Sequence, residues 1–304
     1  MQKIISIFVL LICTSGVQAQ SDAMYSQYMF NSLLINPAQA GSLDHINATI
    51  LAREQWTGLA GRPRTQTIAL DGITHDLKHG FGLTMLNDKI GSTRATKLSF
   101  MYSYRISFTS KTKLAFGLQG SGYNFNTDYS GLRVEDGTDP TIGGNTVNLW
   151  RPDVGAGAFF HTNHVFMGIS APSILDWDIA KTGGSTARRG RTWFGTAGVI
   201  ARVSENVHIR PSVMLKFQPN MPFQADFNIV AFLMEKFWIG GSYRLEDAVV
   251  LMAQWQINSQ WRLGYAYDIS TSDIRSYSGG SHELMLAFSL HFQRDNSVDP
   301  RFFR

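Results

Sequence analysis

Cysteine is all but missing from this 304-residue chain: the single one, Cys13, lies in an N-terminal stretch that reads as a removable leader. A mature chain without cysteine has no disulfide, no thiolate metal site and no cysteine nucleophile. Charge is sparse as well. Asp, Glu, Lys and Arg make up 16% of residues, against about 25% in an average soluble protein, so a heavily solvated surface is not expected. The net charge of +4 drops to about +3 once Lys3 is lost with the leader, and the basic residues are scattered, which argues against a nucleic-acid partner. After the leader no apolar run approaches the roughly 18 residues of a membrane-spanning helix, so a helical membrane protein is excluded on length.

What the chain does contain is 44% hydrophobic residues, 12% aromatics and 28 glycines, the balance of a membrane barrel. Lys3, the apolar residues 4–13, then Val17, Gln18 and Ala19 predict a Sec signal peptide cleaved after Ala19. That apolar run is about half the length of an uncleaved helical anchor. A lipoprotein would have to use Cys13, which follows the bulky Ile12.

Beyond the leader the apolar residues alternate. Leu98, Phe100, Tyr102, Tyr104, Ile106 and Phe108 share one strand face, opposite Ser99, Met101, Ser103, Arg105 and Ser107. Val207, Ile209, Val213, Leu215 and Phe217 oppose His208, Arg210, Ser212 and Lys216 in the same way, and Leu284, Leu286, Phe288, Leu290 and Phe292 oppose Met285, Ala287, Ser289 and His291. Runs of about nine to twelve residues suit a tilted strand crossing a bilayer, whereas soluble strands average five or six. Only a closed barrel pairs every backbone group in hydrocarbon.

The expected architecture is therefore an all-β, transmembrane antiparallel β-barrel of about 14 strands with both termini periplasmic, in the outer membrane. The strands are expected near 45–53, 66–74, 80–87, 96–108, 113–123, 153–161, 164–171, 192–203, 207–217, 223–234, 237–245, 248–257, 261–268 and 282–293. Short connections at 75–79, 109–112, 162–163, 204–206, 235–236 and 258–260 alternate with mostly longer ones. Residues 54–65, 124–152, 172–191 and 269–281 are expected to face outward. The chain divides into a signal peptide (1–19), a periplasmic or lumenal segment (20–44), the barrel (45–293) and a C-terminal tail (294–304).

Candidate chemistry is thin. His282 and Glu283 are adjacent on a strand and so point to opposite faces. Arg105, Arg210, Lys216, Arg244 and Arg262 fall on or near the polar faces, as a basic lumen or as interior salt bridges with Asp226 and Asp268. Glu135, Asp136 and Asp139 lack calcium-loop spacing. Trp56, Trp150, Trp177, Trp193, Trp238, Trp255 and Trp261 lie mostly at strand ends or in loops, as an interfacial belt requires. No catalytic residue, metal ligand or cofactor is expected.

Several blocks occur in order. Tyr25-Ser26-Gln27-Tyr28-Met29-Phe30-Asn31 is followed by Ile35-Asn36-Pro37-Ala38 and Ala40-Gly41-Ser42. Next come Arg53-Glu54-Gln55-Trp56-Thr57-Gly58-Leu59 with Pro63-Arg64-Thr65-Gln66, then Asn87-Asp88-Lys89-Ile90-Gly91. Phe237-Trp238-Ile239-Gly240 with Ser242-Tyr243-Arg244, Gly264-Tyr265-Ala266-Tyr267-Asp268 and Ser281-His282-Glu283-Leu284-Met285-Leu286 complete the set. Their order and spacing resemble the PorP/SprF family over nearly the whole mature chain. That resemblance implies a Bacteroidota outer-membrane barrel working with type IX secretion. It would export or anchor a surface protein with a C-terminal sorting domain, such as a gliding adhesin, alongside periplasmic and outer-membrane components of the system. The family carries no catalytic residues. The family-motif or partner-binding positions are Tyr28, Phe30, Asn36, Pro37, Gln55, Trp56, Gly58, Asp88, Gly91, Arg244, Asp268, His282 and Glu283. The competing expectation is an outer-membrane channel for small or hydrophobic solutes; in both cases the lipid bilayer is a partner.

Overall fold

Unpaired backbone N–H and C=O groups cost several kcal/mol each in hydrocarbon, so a strand crosses a bilayer only where both neighbours complete its ladder. A computed structural model describes residues 23–128, 147–182, 185–219 and 221–290. Its strands are β1 (Ile46–Glu54), β2 (Arg64–Ile73), β3 (His79–Ile90), β4 (Thr93–Ser107), β5 (Lys113–Thr127), β6 (Val147–His161) and β7 (Val165–Ser173), then β8 (Trp177–Thr182) and β9 (Ser185–Arg189). They continue with β10 (Thr192–Val199), β11 (Ala201–Ser204), β12 (Val207–Phe217), β13 (Gln224–Leu233), β14 (Phe237–Arg244), β15 (Ala248–Gln256), β16 (Trp261–Ser270) and β17 (Ser281–Leu290). The signal peptide, the acidic residues 135–139, residues 291–293 and the tail 294–304 lie outside the described residues.

β10 and β11 are halves of one strand broken at Ile200. β10 pairs with both β7 and β12, and β11 continues along β12. β1 pairs with β17 from Ile46↔Leu290 to Glu54↔His282, with Arg53 directly opposite Glu283. The result is a closed antiparallel barrel of fourteen strands, with β8 and β9 standing apart as a two-stranded ribbon.

All fourteen expected strands are present, but several bounds move. β5 and β6 extend to Thr127 and from Val147, well past the expected 123 and 153. Asn124, Asn126 and Asn148 blur the hydropathy alternation there, while the ladder continues through Asn124↔Trp150 and Asn126↔Asn148. Inside this extension Tyr123 and Phe125 stack with centroids 4.6 Å apart. β3 and β4 run on until Gly91, in the left-handed region at φ 57°, turns the chain.

The ladder has two rims. One carries the short turns after β2, β4, β6, β11, β13 and β15, together with the start of β1 and the end of β17. The other carries the ends of β1, β3, β5, β7, β12, β14 and β16, and with them the long loops.

Side chains are distributed in the reverse of a soluble domain. Phe100, Leu118, Ile169, Ile229 and Leu284 project outward and are more than half exposed, whereas Arg53, Arg105, Arg210, Arg244, Asp226, Asp268 and Glu283 point inward and are buried. An apolar exterior around a polar interior is the arrangement lipid demands. Trp238 departs from the expected belt, because the even positions of β14 face inward and bury it against Phe232 at 4.4 Å. The side chain of Trp177 lies outside the described residues.

Residues 23–44 fill the lumen. Three short 3-10 turns, Tyr28–Phe30, Ser32–Leu34 and Pro37–Gln39, fold the segment, and Tyr25, Tyr28, Phe30, Leu33, Ile35 and Ala38 are buried inside the barrel. It begins beside β12, with Met24 Sδ 3.3 Å from Lys216 Nζ one residue from the end of that strand. It leaves at the short-turn rim, where Asp44 meets Arg105 and Lys113.

Candidate functional site

A backbone segment inside a barrel must find partners for its own amides, and here inward charges of the wall supply them. Glu283 is the centre. Its Oε2 accepts the Ser26 N–H at 2.8 Å and its Oε1 the Gln27 N–H at 2.7 Å. Arg53 lies between the carboxylates, with Nη2 2.7 Å from Asp268 Oδ2 and Nη1 3.4 Å from Glu283 Oε2. The Ser26 hydroxyl donates to Asp268 Oδ1 at 2.6 Å and accepts from Arg53 Nη1 at 2.8 Å. Arg244 extends the cluster through Nε to Asp226 at 3.2 Å and through Nη1 to Asp268 at 3.6 Å, and its Nη2 donates to the Tyr25 carbonyl at 3.4 Å.

These charges are almost fully buried, yet each is paired, which is the condition under which burial is tolerated. Two neutral contacts accompany them. Asn228 Nδ2 donates to Tyr28 Oη at 2.7 Å, and Gln254 Nε2 to Gln27 Oε1 at 2.9 Å. Below them Arg210 and Arg262 lie over the Phe30 ring, 5.2 and 5.7 Å from its centroid, and Arg262 also covers Trp238 at 5.1 Å, each a cation–π contact.

On the far side, Asn36 caps the last 3-10 turn. Its Oδ1 accepts the Ala38 N–H at 2.9 Å, and its Nδ2 reaches the Ala158 carbonyl at 3.1 Å. Pro37 opens that turn with a fixed φ and no amide to satisfy. The wall admits it because position 117 is glycine: a Cβ there would sit 2.2 Å from the Ala38 nitrogen. A cavity of about 20 Å³ is lined by Tyr28, Ser32, Gln39, Phe159, Thr196 and Arg210.

Seven motif positions, Tyr28, Phe30, Asn36, Pro37, Arg244, Asp268 and Glu283, meet in this lumenal assembly. Five others gather at the long-loop rim. The Gln55 N–H donates to Pro63 O at 3.0 Å, and Trp56, at φ 55°, donates its N–H to Ser281 Oγ at 3.1 Å. Gly58 adopts φ 98°, Asp88 accepts from Thr65 Oγ1 at 2.6 Å, and the Gly91 N–H reaches Gly61 O at 2.9 Å. His282 joins neither group: it faces outward, with Nδ1 2.7 Å from Tyr265 Oη.

The interior salt-bridge reading of Arg244 with Asp226 and Asp268 matches the geometry. The motif positions leave out Arg53, Asp226, Ser26 and Gln27, all of which complete the cluster. Strand parity signals Arg53, two residues from the inward Leu51, but nothing in the local pattern of residues 25–27 marks them as lumenal. Among the described residues no group of three or more His, Cys, Asp or Glu lies close enough to hold a metal ion.

A model of the family described as type IX secretion system membrane protein PorP/SprF matches residues 17–288. Among solved structures, the CymD monoaromatic hydrocarbon channel is similar with a TM-score of 0.52 at 11% identity, over 90% of this chain and 94% of that one. A TodX deltaS2S3 mutant monoaromatic hydrocarbon channel also gives 0.52 at 10% identity, over 86% of this chain and 94% of that one. At such identities the likeness is one of fold. No curated protein matches by sequence. Barrel and family match together assign the chain to the outer membrane.

Proposed function

The chain belongs to the PorP/SprF family of type IX secretion system membrane proteins, and on that premise we propose that it is a non-catalytic barrel that helps export or anchor a specific surface protein. The client is a secreted protein with a C-terminal sorting domain, such as a gliding adhesin, and other secretion components contact the barrel from the periplasm and within the membrane. In this reading residues 1–19 are a leader removed after Ala19, 20–44 the lumenal segment, 45–293 the barrel and 294–304 a tail. The long-loop rim faces outward and presents Gln55, Trp56, Gly58, Asp88 and Gly91 toward the client, while the short turns face the periplasm.

The observation that carries this reading is the filled lumen. Fourteen strands could enclose a solute path, but here the path is occupied by the chain's own residues, fixed to the wall by buried charges. Occupancy of that kind counts against a channel for small or hydrophobic solutes, which is the rival.

Deleting the gene and measuring surface and supernatant proteins by mass spectrometry, with solute uptake in parallel, tests the proposal. One large secreted protein is expected to leave the surface while uptake stays unchanged. Unaltered surface proteins with reduced uptake would establish the channel instead.

A further inference from the structure

The first and last barrel strands open at the short-turn rim, which is where a bacterial barrel of even strand number places its ends. The lumenal segment does not follow them. Its earliest contacts all fall at the opposite rim: Met24 with Lys216, one residue from the end of β12; the Tyr25 carbonyl with Arg244, the last residue of β14; and Ser26 with Arg53, one residue from the end of β1. Its latest contacts fall at the short-turn rim, where Asp44 meets Lys113, the first residue of β5, and the Ala40 carbonyl accepts from Ser103 Oγ at 2.7 Å. The segment thus threads the barrel along its axis.

We infer that the amino terminus of the mature chain emerges at the long-loop mouth, opposite the ends of the barrel strands. Chain length carries the step. If the leader is cut after Ala19, only three residues precede Ala23, and three residues reach at most about 11 Å. A ten-residue strand tilted by about 40° rises roughly 25 Å along the barrel axis. The free amine therefore cannot return to the short-turn mouth. That both features share one mouth rests on these contacts and on cleavage after Ala19; that this mouth faces the medium rests on the orientation proposed above.

A cysteine-free mature chain makes the test direct. Single variants Asp22→Cys, Ser276→Cys in the 271–280 loop and Ser259→Cys in the turn after β15 are treated with a membrane-impermeant maleimide, in intact cells and after permeabilisation. Heat-modifiable gel mobility shows in each case that the barrel has assembled. The expected result is label at positions 22 and 276 in intact cells and at 259 only after permeabilisation. If 22 and 276 are protected together while 259 is labelled, the threading stands and the outward orientation proposed above fails. If position 22 behaves like 259, or stays unlabelled in both states, the amino terminus does not emerge at the long-loop mouth and the inference is overturned.

Discussion

Each oxygen of the Glu283 carboxylate faces a donor: Oε1 the Gln27 amide, Oε2 the Ser26 amide and Arg53. An amide group in its place would point N–H at N–H whichever way it turned, and would leave Arg53 with Asp268 as its remaining anionic contact. Breaking a buried pair of this kind costs about 3 to 5 kcal/mol. Glu283→Gln is therefore expected to lower the urea midpoint for unfolding in lipid vesicles by that equivalent. An unchanged midpoint would mean the lumenal cluster holds nothing in place. Strand parity marks Arg244 and Asp268 as inward residues on the polar faces of their strands, whereas Glu283 reads only as half of a polar pair at a strand entry. Ser26 and Gln27 were not readable in that way, because their segment has no periodicity of its own and takes its shape from the wall around it.

At the level of elements, alternation located all fourteen strands, since lipid on one side and a polar interior on the other enforce a period of two. It failed where that contrast fades. The extensions of β5 and β6 alternate polar with small or aromatic residues, and the β8–β9 ribbon, which lies outside the barrel, falls within 172–191, where the sequence predicts a loop. Two expectations follow from element geometry. In β5, Gly117→Ala pushes a methyl into backbone atoms of residues 37 and 38, whereas Gly120→Ala adds one where nothing lies within 4 Å. The first is expected to cost about 1 to 3 kcal/mol and to make the lumenal segment protease-sensitive; the second should change stability by less than about 0.5 kcal/mol. Proteolysis of the two assembled variants side by side decides it. The turn joining β13 to β14 holds Met234 and Glu235 at φ 51° and 55°, with the Lys236 N–H bonded to Leu233 O at 3.0 Å. Replacing the pair with Asn-Gly, which tolerates these angles, is expected to raise stability by about 1 kcal/mol, again read from the urea midpoint.

Taken as a whole, the molecule is a wall and a core made from one chain, and a filled core predicts a barrel closed to solutes. The purified barrel is expected to pass no steady current in a planar bilayer, and Gly117→Ala, which crowds the segment off the wall, is expected to raise conductance. A steady open current from the unaltered protein would contradict a filled lumen. The same arrangement bears on how the barrel comes together. Arg53 on β1 and Glu283 on β17 face each other across the junction of the first and last strands, and both grip Ser26. The lumenal segment is thus a clasp over the seam that joins residues far apart along the chain. A barrel that shut with its N-terminal residues left outside would lack this fastening across that junction, which ties closing the cylinder to taking in the segment.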